Sequence, residues 1–144
     1  MNSNNINETP IPIAFTAKKW NNSENVRGTI IFEDVLLNQG GRYNSKTGQF
    51  TAPVDGIYVF SWTIVTKQNY AISTELMLNS NRVAFGWTDA RLSSGDRNDS
   101  GSSTTTLKLN RSDTVSVDIG SRFDAYVSGN GWSSFTGWKI CDTN

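Results

Sequence analysis

Among the side chains of this 144-residue chain that could perform covalent or acid–base chemistry are its carboxylates and one thiol. Histidine is absent, which excludes histidine-based triads, histidine-ligated zinc and histidine general acid–base catalysis. Cys141 is the single cysteine, so the chain forms neither an internal disulfide nor a cysteine metal cluster. Without histidine its thiol has no obvious activating base. We therefore expect Cys141 to be a small buried hydrophobic residue near the end of a strand.

The carboxylates leave one enzymatic alternative, a glycosidase with two paired acidic residues. No clustered carboxylate pair and no nucleotide-binding loop is evident, so we predict that the chain is not an enzyme. Basic and acidic residues both number 13, and no basic stripe stands out, which argues against nucleic acid as the main partner. No segment approaches about 18 apolar residues, which argues against membrane insertion.

The elements that must position these side chains are β-strands, because short β-type runs alternate with turn residues and no helical period appears. Residues 1–11 are predicted to be a flexible polar lead-in to a single domain over 12–144. Hairpin turns are predicted at Asn79–Asn81 and Asn110–Asp113. About ten short strands indicate an all-β sandwich or jelly roll, with predicted strand segments at 13–17, 28–37, 41–44, 48–52, 56–66, 72–79, 82–87, 103–109, 114–119, 124–128 and 133–141.

The segment 56–66 shows the alternation most clearly. One side carries Tyr58, Phe60, Trp62 and Ile64, and the other side is mostly apolar as well, with Ile57, Val59 and Val65. Such a strand is predicted to be buried on both faces. One face would meet the opposite sheet of the sandwich, and the other could meet a neighbouring subunit.

Four blocks of sequence resemble the globular head of the complement C1q family, the C-terminal module of the C1q/tumour-necrosis-factor superfamily. The blocks are FTA at 15–17, IFEDVLLNQGGRYNSKTGQFTAPVDGIYVFSW at 31–62, LKLNRSDTVSV at 107–117 and SSFTGWKI at 133–140. The resemblance implies a ten-stranded jelly-roll sandwich that associates as a homotrimer, most like soluble bivalve members of the family. Two departures are Ser112–Asp113, where the family commonly has Gly-Asp, and the lack of a Gly-x-y collagen repeat.

The resemblance implies a secreted, extracellular, lectin-like pattern-recognition protein of innate immunity whose partners are glycans or microbial polysaccharide and lipopolysaccharide. Two alternatives stay open: a cytokine-like ligand of a protein receptor, and the oligomerisation head of a larger fibre. A sugar site needs an exposed aromatic ring and a few fixed polar groups, and an acidic sugar such as sialic acid would favour arginine. The candidate residues, in or beside the polar segments 88–102 and 120–134, are Trp87, Arg91, Arg97, Arg122, Asp124, Tyr126, Asn130 and Trp132.

The resemblance also suggests calcium, because some heads of this family bind the ion through acidic residues of the loop that matches 88–102. That segment carries Asp89, Asp96 and Asp99, and oxygen ligands suit calcium, although their spacing is not that of an EF-hand. The opening residues hold no apolar signal segment, so secretion is expected from the family resemblance alone. Glycosylation sequons occur at Asn7, Asn21, Asn98 and Asn110.

Overall fold

The computed structural model describes residues 11–24, 27–92, 95, 97–120 and 125–143. No helix is found among these residues, and therefore none that could cross a membrane. The predicted lead-in falls outside them except for Ile11 and stays a prediction. The strands are β1 (Ala14–Lys18), β2 (Ser23–Glu24), β3 (Gly28–Thr29), β4 (Asp34–Gln39), β5 (Tyr43–Asn44), β6 (Gln49–Thr51), β7 (Gly56–Thr66), β8 (Ala71–Leu78), β9 (Asn81–Asp89), β10 (Asp99–Leu109), β11 (Thr114–Ile119), β12 (Tyr126–Val127) and β13 (Ser134–Asp142).

The strands build two antiparallel sheets that enclose one core. The front sheet has the order β10-β7-β13-β1-β4, and the back sheet has the order β5-β6-β11-β8-β9, with β3 paired to β11. A separate ribbon joins β2 to β12. The first and last long strands are neighbours, since β1 pairs with β13. The predicted all-β jelly-roll sandwich is confirmed.

Aromatic side chains fill the space between the two sheets. The predicted inward set of β7 is at most 2 % exposed, which confirms the alternation expected for Tyr58, Phe60, Trp62 and Ile64. Phe15 of β1 stacks on Tyr43 at 4.9 Å between ring centroids and meets Phe135 edge-on at 4.9 Å. Each such ring removes on the order of 150–250 Å² from water, so these contacts dominate the energetics of the core.

Two glycines are needed where strands approach closely. A Cβ on Gly137 would lie 2.7 Å from ring atoms of both Phe15 and Phe60, so β13 passes this close beneath the rings only without a side chain. Gly56 is needed for the same reason, because a Cβ there would lie 2.7 Å from the carbonyl oxygen of Cys141.

The outer face of the front sheet is mixed rather than apolar. Val59 and Val65 are only 8 % and 7 % exposed within a single chain. The exposed apolar surface lies around Trp138, which pairs with Val59, and at Leu37 of β4. Toward the Val65 end of β7 the same face carries hydroxyl pairs across strands, namely Ser61 with Thr104 at 3.0 Å, Thr63 with Ser102 at 2.7 Å and Thr16 with Thr136 at 3.0 Å.

Three predicted segments have different bounds in the structure. The segment 28–37 is split, because β3 belongs to the back sheet and β4 to the front sheet, and residues 30–33 cross between them. The irregular stretch 88–102 is shorter than predicted, since β9 runs to Asp89 and β10 begins at Asp99, where all eleven residues of β10 pair with β7. The structure describes residues 125–128 of the predicted segment 124–128, and within them the strand is Tyr126–Val127.

The prediction that Cys141 is buried is wrong. The residue lies near the end of β13, as expected, but its side chain is exposed. The pairing of β13 with β7 shifts between Lys139 and Cys141, which is the signature of a β-bulge. A bulge leaves one residue unpaired and disrupts the alternation, so parity alone misplaced the cysteine.

The predicted hairpin at Asn79–Asn81 is present, because it joins the paired strands β8 and β9. The predicted hairpin at Asn110–Asp113 is wrong, because the turn found there joins β10 of the front sheet to β11 of the back sheet, and these two strands pair with other strands. Asn79 adopts φ 55°, a left-handed conformation that asparagine tolerates. In the other turn Ser112 adopts φ 76°. This is the position where the sequence departs from the Gly-Asp common in the family, and serine accepts that backbone less readily than glycine.

Candidate ligand-binding site at the loop end

One end of the sandwich, called here the loop end, gathers the described residues of the connections 19–33, 67–70, 90–98 and 120–133. The connections touch one another through their backbones. The N–H of Asn69 donates to the carbonyl of Ala90 at 3.1 Å, and the N–H of Asn130 donates to the carbonyl of Trp20 at 2.9 Å. The two segments from which the candidate residues were taken therefore meet at the same end, because antiparallel strands bring alternate connections together.

Trp87, Asp89 and Arg91 form one unit at this end. The Arg91 guanidinium donates to Asp89 through Nε at 2.9 Å and Nη2 at 2.8 Å, and its backbone N–H donates at 3.0 Å. The side-chain hydrogen bonds from Arg91, then its backbone hydrogen bond, lower the pKa of Asp89 to about 2, and the same pairing raises the pKa of Arg91. Trp87 is 50 % exposed, with the guanidinium carbon 5.8 Å from its ring centroid.

The ion pair between Asp89 and Arg91 affects two predictions, the acidic-sugar site that uses Arg91 and the calcium site that uses Asp89. A sugar carboxylate would have to compete with Asp89 for the guanidinium fork of Arg91, since Nε and Nη2 already donate to Asp89. Arg97 is exposed, and its side chain makes no hydrogen bond with the residues that the structure describes. It is therefore the arginine of this segment most available to an acidic group.

The calcium prediction rests on residues that the structure describes only in part. Asp96 lies outside the described residues, and Asp99 is exposed at the start of β10. A calcium ion at Asp89 would have to displace Arg91 from its carboxylate. Across the described ranges, no group of three or more His, Cys, Asp or Glu side chains is placed to hold a metal ion.

The second segment, 120–134, presents its residues in different ways. Arg122 and Asp124 lie outside the described residues. Asn130 is exposed in a turn at φ 54°, and Trp132 is 66 % exposed. Tyr126 is partly buried in β12, where the ammonium group of a lysine from another connection lies over its ring.

That lysine is Lys67, which belongs to a small cluster under the loop end. Its Nζ lies 4.3 Å from the ring centroid of Tyr126 and 5.2 Å from that of Tyr70. The two rings are 5.4 Å apart, and the hydroxyl of Tyr70 donates to Glu24. The cation–π contacts and the hydrogen bond to Glu24 together tie three connections, and the Lys67 ammonium leaves less of the Tyr126 ring for a sugar to stack on.

Two exposed aromatic residues were not predicted. Phe85 is 65 % exposed on the same outward side of β9 as Trp87. The opposite side of β9 leaves no room for a side chain at Gly86, because a Cβ there would lie 2.6 Å from the Thr74 hydroxyl and 3.2 Å from Trp62 Nε1. Trp20 is 57 % exposed just beyond the end of β1. A tryptophan inside the polar run KKWNNSEN was the signal available in the sequence.

The backbone of Trp20 is held by the ion pair between Lys19 and Glu33. Lys19 has a side chain only 7 % exposed and donates to both oxygens of Glu33, at 3.2 and 3.1 Å. Glu33 Oε1 also accepts from the backbone N–H groups of Trp20 at 2.9 Å and Asn21 at 2.6 Å. Burial is the largest single influence and opposes ionisation, but the hydrogen bonds from Asn21 and Lys19 outweigh it, and the pKa of Glu33 falls below its ordinary value.

Comparison with known proteins places this geometry in a family. A model described as the C1q domain matches residues 14–140. Mouse complement C1q tumor necrosis factor-related protein 3 is 28 % identical over 134 residues, which are 92 % of this chain and 53 % of that protein. The heavy metal-binding protein HIP of the mussel Mytilus edulis is 36 % identical over 69 residues, which are 46 % of this chain and 32 % of that protein. The chain thus spans about a third to a half of the length of these curated relatives.

Solved structures agree on the fold. The globular domain of zebrafish complement 1qA protein superposes with a TM-score of 0.73 at 20 % identity, covering 92 % of this chain and 99 % of that one. The Eiger TNF of S. frugiperda superposes with a TM-score of 0.75 at 16 % identity, covering 92 % and 95 %. With a family model that matches residues 14–140 and a jelly roll shared with these structures, the chain belongs to the C1q domain family.

Proposed function

We propose that this domain is the recognition head of a secreted, trimeric, lectin-like protein of innate immunity that binds carbohydrates on microbial or host surfaces through its loop end. Domains of this family are non-enzymatic binding or ligand modules, and trimers are typical of them. One observation supports glycan recognition above the rest. Three of the five tryptophans, Trp20, Trp87 and Trp132, are half or more exposed at the loop end.

Exposed indole rings beside fixed polar groups have the chemistry that a sugar needs. The apolar C–H face of a pyranose packs on an aromatic ring, while neighbouring hydrogen-bonding groups fix its hydroxyls. The Asp89–Arg91 pair beside Trp87 provides such groups. Arg97 and Arg122 are the arginines that we propose for an acidic sugar such as sialic acid.

The trimer fits the outer face of the front sheet. Trp138 is 41 % exposed and Leu37 46 %, and both would be covered by association of three subunits through this face. Three copies of a weak sugar site gain avidity on a repetitive surface without any new contact, by factors of about 10²–10⁴. A secreted protein acting on cell surfaces would need this gain.

A glycan array probed with the purified protein, with and without EDTA, tests the proposal. We expect saturable binding to one class of sugar, a loss of at least about tenfold in Trp87→Ala, and no change in Val54→Ala, which removes an exposed apolar side chain at the opposite end. Loss of binding in EDTA would support the calcium prediction for Asp89, Asp96 and Asp99. Sedimentation as a stable monomer would contradict the trimer.

Binding to a single cell-surface protein and to no glycan would favour the cytokine-like alternative. The mussel relative is named as a heavy metal-binding protein, but we do not propose metal binding as the function of this domain. The lone thiol, Cys141, is exposed, and the described residues bring together no group of metal ligands.

A further inference from the structure

A pocket separate from the Trp87–Asp89–Arg91 unit lies beside β4 at the loop end. It is lined by Trp20, Glu33 and Asp34 and has a volume of about 370 Å³. Small-molecule sites usually fall between roughly 300 and 1,000 Å³, so the pocket is large enough for a single sugar residue. None of its lining residues belongs to the Trp87–Asp89–Arg91 unit.

The Trp20 backbone is fixed on both sides of the indole. Its N–H donates to Glu33, and its carbonyl accepts from Asn130 at 2.9 Å. The connection that carries Asn130 comes close enough only because residue 129 is glycine, where a Cβ would lie 2.3 Å from the Trp20 carbonyl oxygen. A backbone held in this way keeps the base of the Trp20 side chain in place, so less conformational freedom is lost when a ligand packs on the ring.

The two carboxylates of the pocket have different roles. Glu33 is occupied by Lys19 and by two backbone N–H groups. The carboxylate of Asp34 accepts no hydrogen bond and forms no ion pair within the part of the chain that the structure describes, although the residue is partly buried. It is an acceptor with up to four lone-pair positions, placed in the same pocket as an exposed indole face.

We propose that this pocket binds an uncharged or amine-bearing sugar residue. The C–H face of the pyranose stacks on Trp20, and two hydroxyls, or an ammonium group, donate to Asp34. This inference rests on the proposed function, and it assigns a sugar class to a site distinct from the arginine-bearing loop.

The negative charge of Asp34 determines which class of sugar the pocket prefers. A sugar carboxylate about 4 Å from Asp34 would be disfavoured by roughly fivefold in bulk water and about a thousandfold at an effective dielectric constant of 20. An ammonium group at the same place would be favoured over the same range. The loop end therefore carries two sites of opposite preference, one with Arg97 for acidic sugars and one with Asp34 for neutral or amino sugars.

The test is a titration of the intact protein with four sugars: methyl α-mannopyranoside, methyl β-glucopyranoside, glucosamine and N-acetylneuraminic acid. Saturation-transfer NMR and tryptophan fluorescence monitor the binding. We expect at least one of the first three to bind, and Trp20→Ala to weaken it by about tenfold or more. Asp34→Asn should weaken glucosamine by about tenfold, because a hydrogen bond to a charged group is lost. Leu36→Ala, which truncates a 60 % exposed side chain on the same strand, should change neither by more than twofold.

The outcomes separate this inference from the proposed function. Binding of a neutral or amino sugar that Trp20→Ala and Asp34→Asn leave unchanged, but Trp87→Ala abolishes, overturns the pocket and leaves the lectin function standing. Binding of N-acetylneuraminic acid alone overturns the pocket in the same way. No binding of any sugar, on the array or in the titration, overturns both. Because the Asp34 carboxylate accepts no hydrogen bond from the described residues, its variant keeps the test decisive even if Trp20→Ala fails to fold.

Discussion

The buried pair of Lys19 and Glu33 allows a prediction about which partner the fold can lose. Lys19 has a side chain 7 % exposed, and Glu33 has a side chain 27 % exposed. If Lys19 is replaced by methionine, Glu33 keeps the N–H groups of Trp20 and Asn21 and some contact with water. If Glu33 is replaced by glutamine, the Lys19 ammonium stays buried without a counter-charge, and it has no other partner among the described residues.

The expected magnitudes follow from that asymmetry. Removing one member of a buried pair costs about 3–5 kcal/mol when the other charge is left uncompensated. Glutamine still offers an amide oxygen, so we expect Glu33→Gln to lower the free energy of unfolding by about 2–3 kcal/mol. Lys19→Met should lower it by only about 1 kcal/mol, because methionine fills the same space and leaves Glu33 with hydrogen bonds. The double variant should be more stable than Glu33→Gln alone.

Urea denaturation at pH 7, with the protein concentration held fixed, measures all four free energies of unfolding. If Lys19→Met destabilised the protein more than Glu33→Gln did, or if the double variant were the least stable of the four, the argument from burial would be refuted. The pH dependence is an independent check. Since the folded pKa of Glu33 lies below its ordinary value of 4.5, its contribution is present above that value and is lost as the pH falls below it. Glu33→Gln should lack that loss.

Three further changes test the packing and turns. Ser112→Gly should raise the free energy of unfolding by up to about 1 kcal/mol in urea denaturation, because glycine accepts the observed φ of 76° without strain; a decrease would contradict this. Gly137→Ala should lower it by about 1–3 kcal/mol, since the added methyl must displace two aromatic rings; an unchanged midpoint would show that the rings yield. Burial raises the pKa of Tyr43 to about 12, so its contribution to stability is complete below pH 10 and is lost as the pH rises toward 12. Alkaline unfolding of Tyr43→Phe should lack this component.

The sequence predicted side-chain burial correctly where the alternation along a single strand determines it. The alternation along β7 predicted a fully buried inward row, and the structure confirms it. It was misleading at β10, whose first residues are Asp99, Ser100 and Gly101. By composition these are loop residues, yet they pair in register with Val65 and its neighbours. Here the length of the partner strand, and not local propensity, decides where the strand begins.

The direction of the aromatic side chains on β9 could not be read from the sequence. Apolar residues are normally expected to face the core, but Phe85 and Trp87 point outward while Gly86 points inward. The inward side is already occupied by Trp62, whose Nε1–H donates to the Thr74 hydroxyl at 2.9 Å. This contact between the two sheets turns the large rings of β9 to the surface, and no local pattern on β9 predicts it.

The pocket at Trp20 was missed for a related reason. Long polar segments predict binding residues at 88–102 and 120–134, but the polar residues just after β1 form a shorter run and are fixed by distant groups. Glu33 holds the Trp20 N–H, and the Asn22 side chain accepts from the N–H of Gly129 at 2.7 Å. An indole on a mobile loop would fold back onto the nearest apolar surface, since exposed apolar area is unfavourable in water. At Trp20 the ion pair of Lys19 with Glu33 and two hydrogen bonds hold the backbone, and the indole is 57 % exposed and available to a ligand. An exposed aromatic ring on a fixed backbone therefore marks a recognition surface better than the length of the loop that carries it.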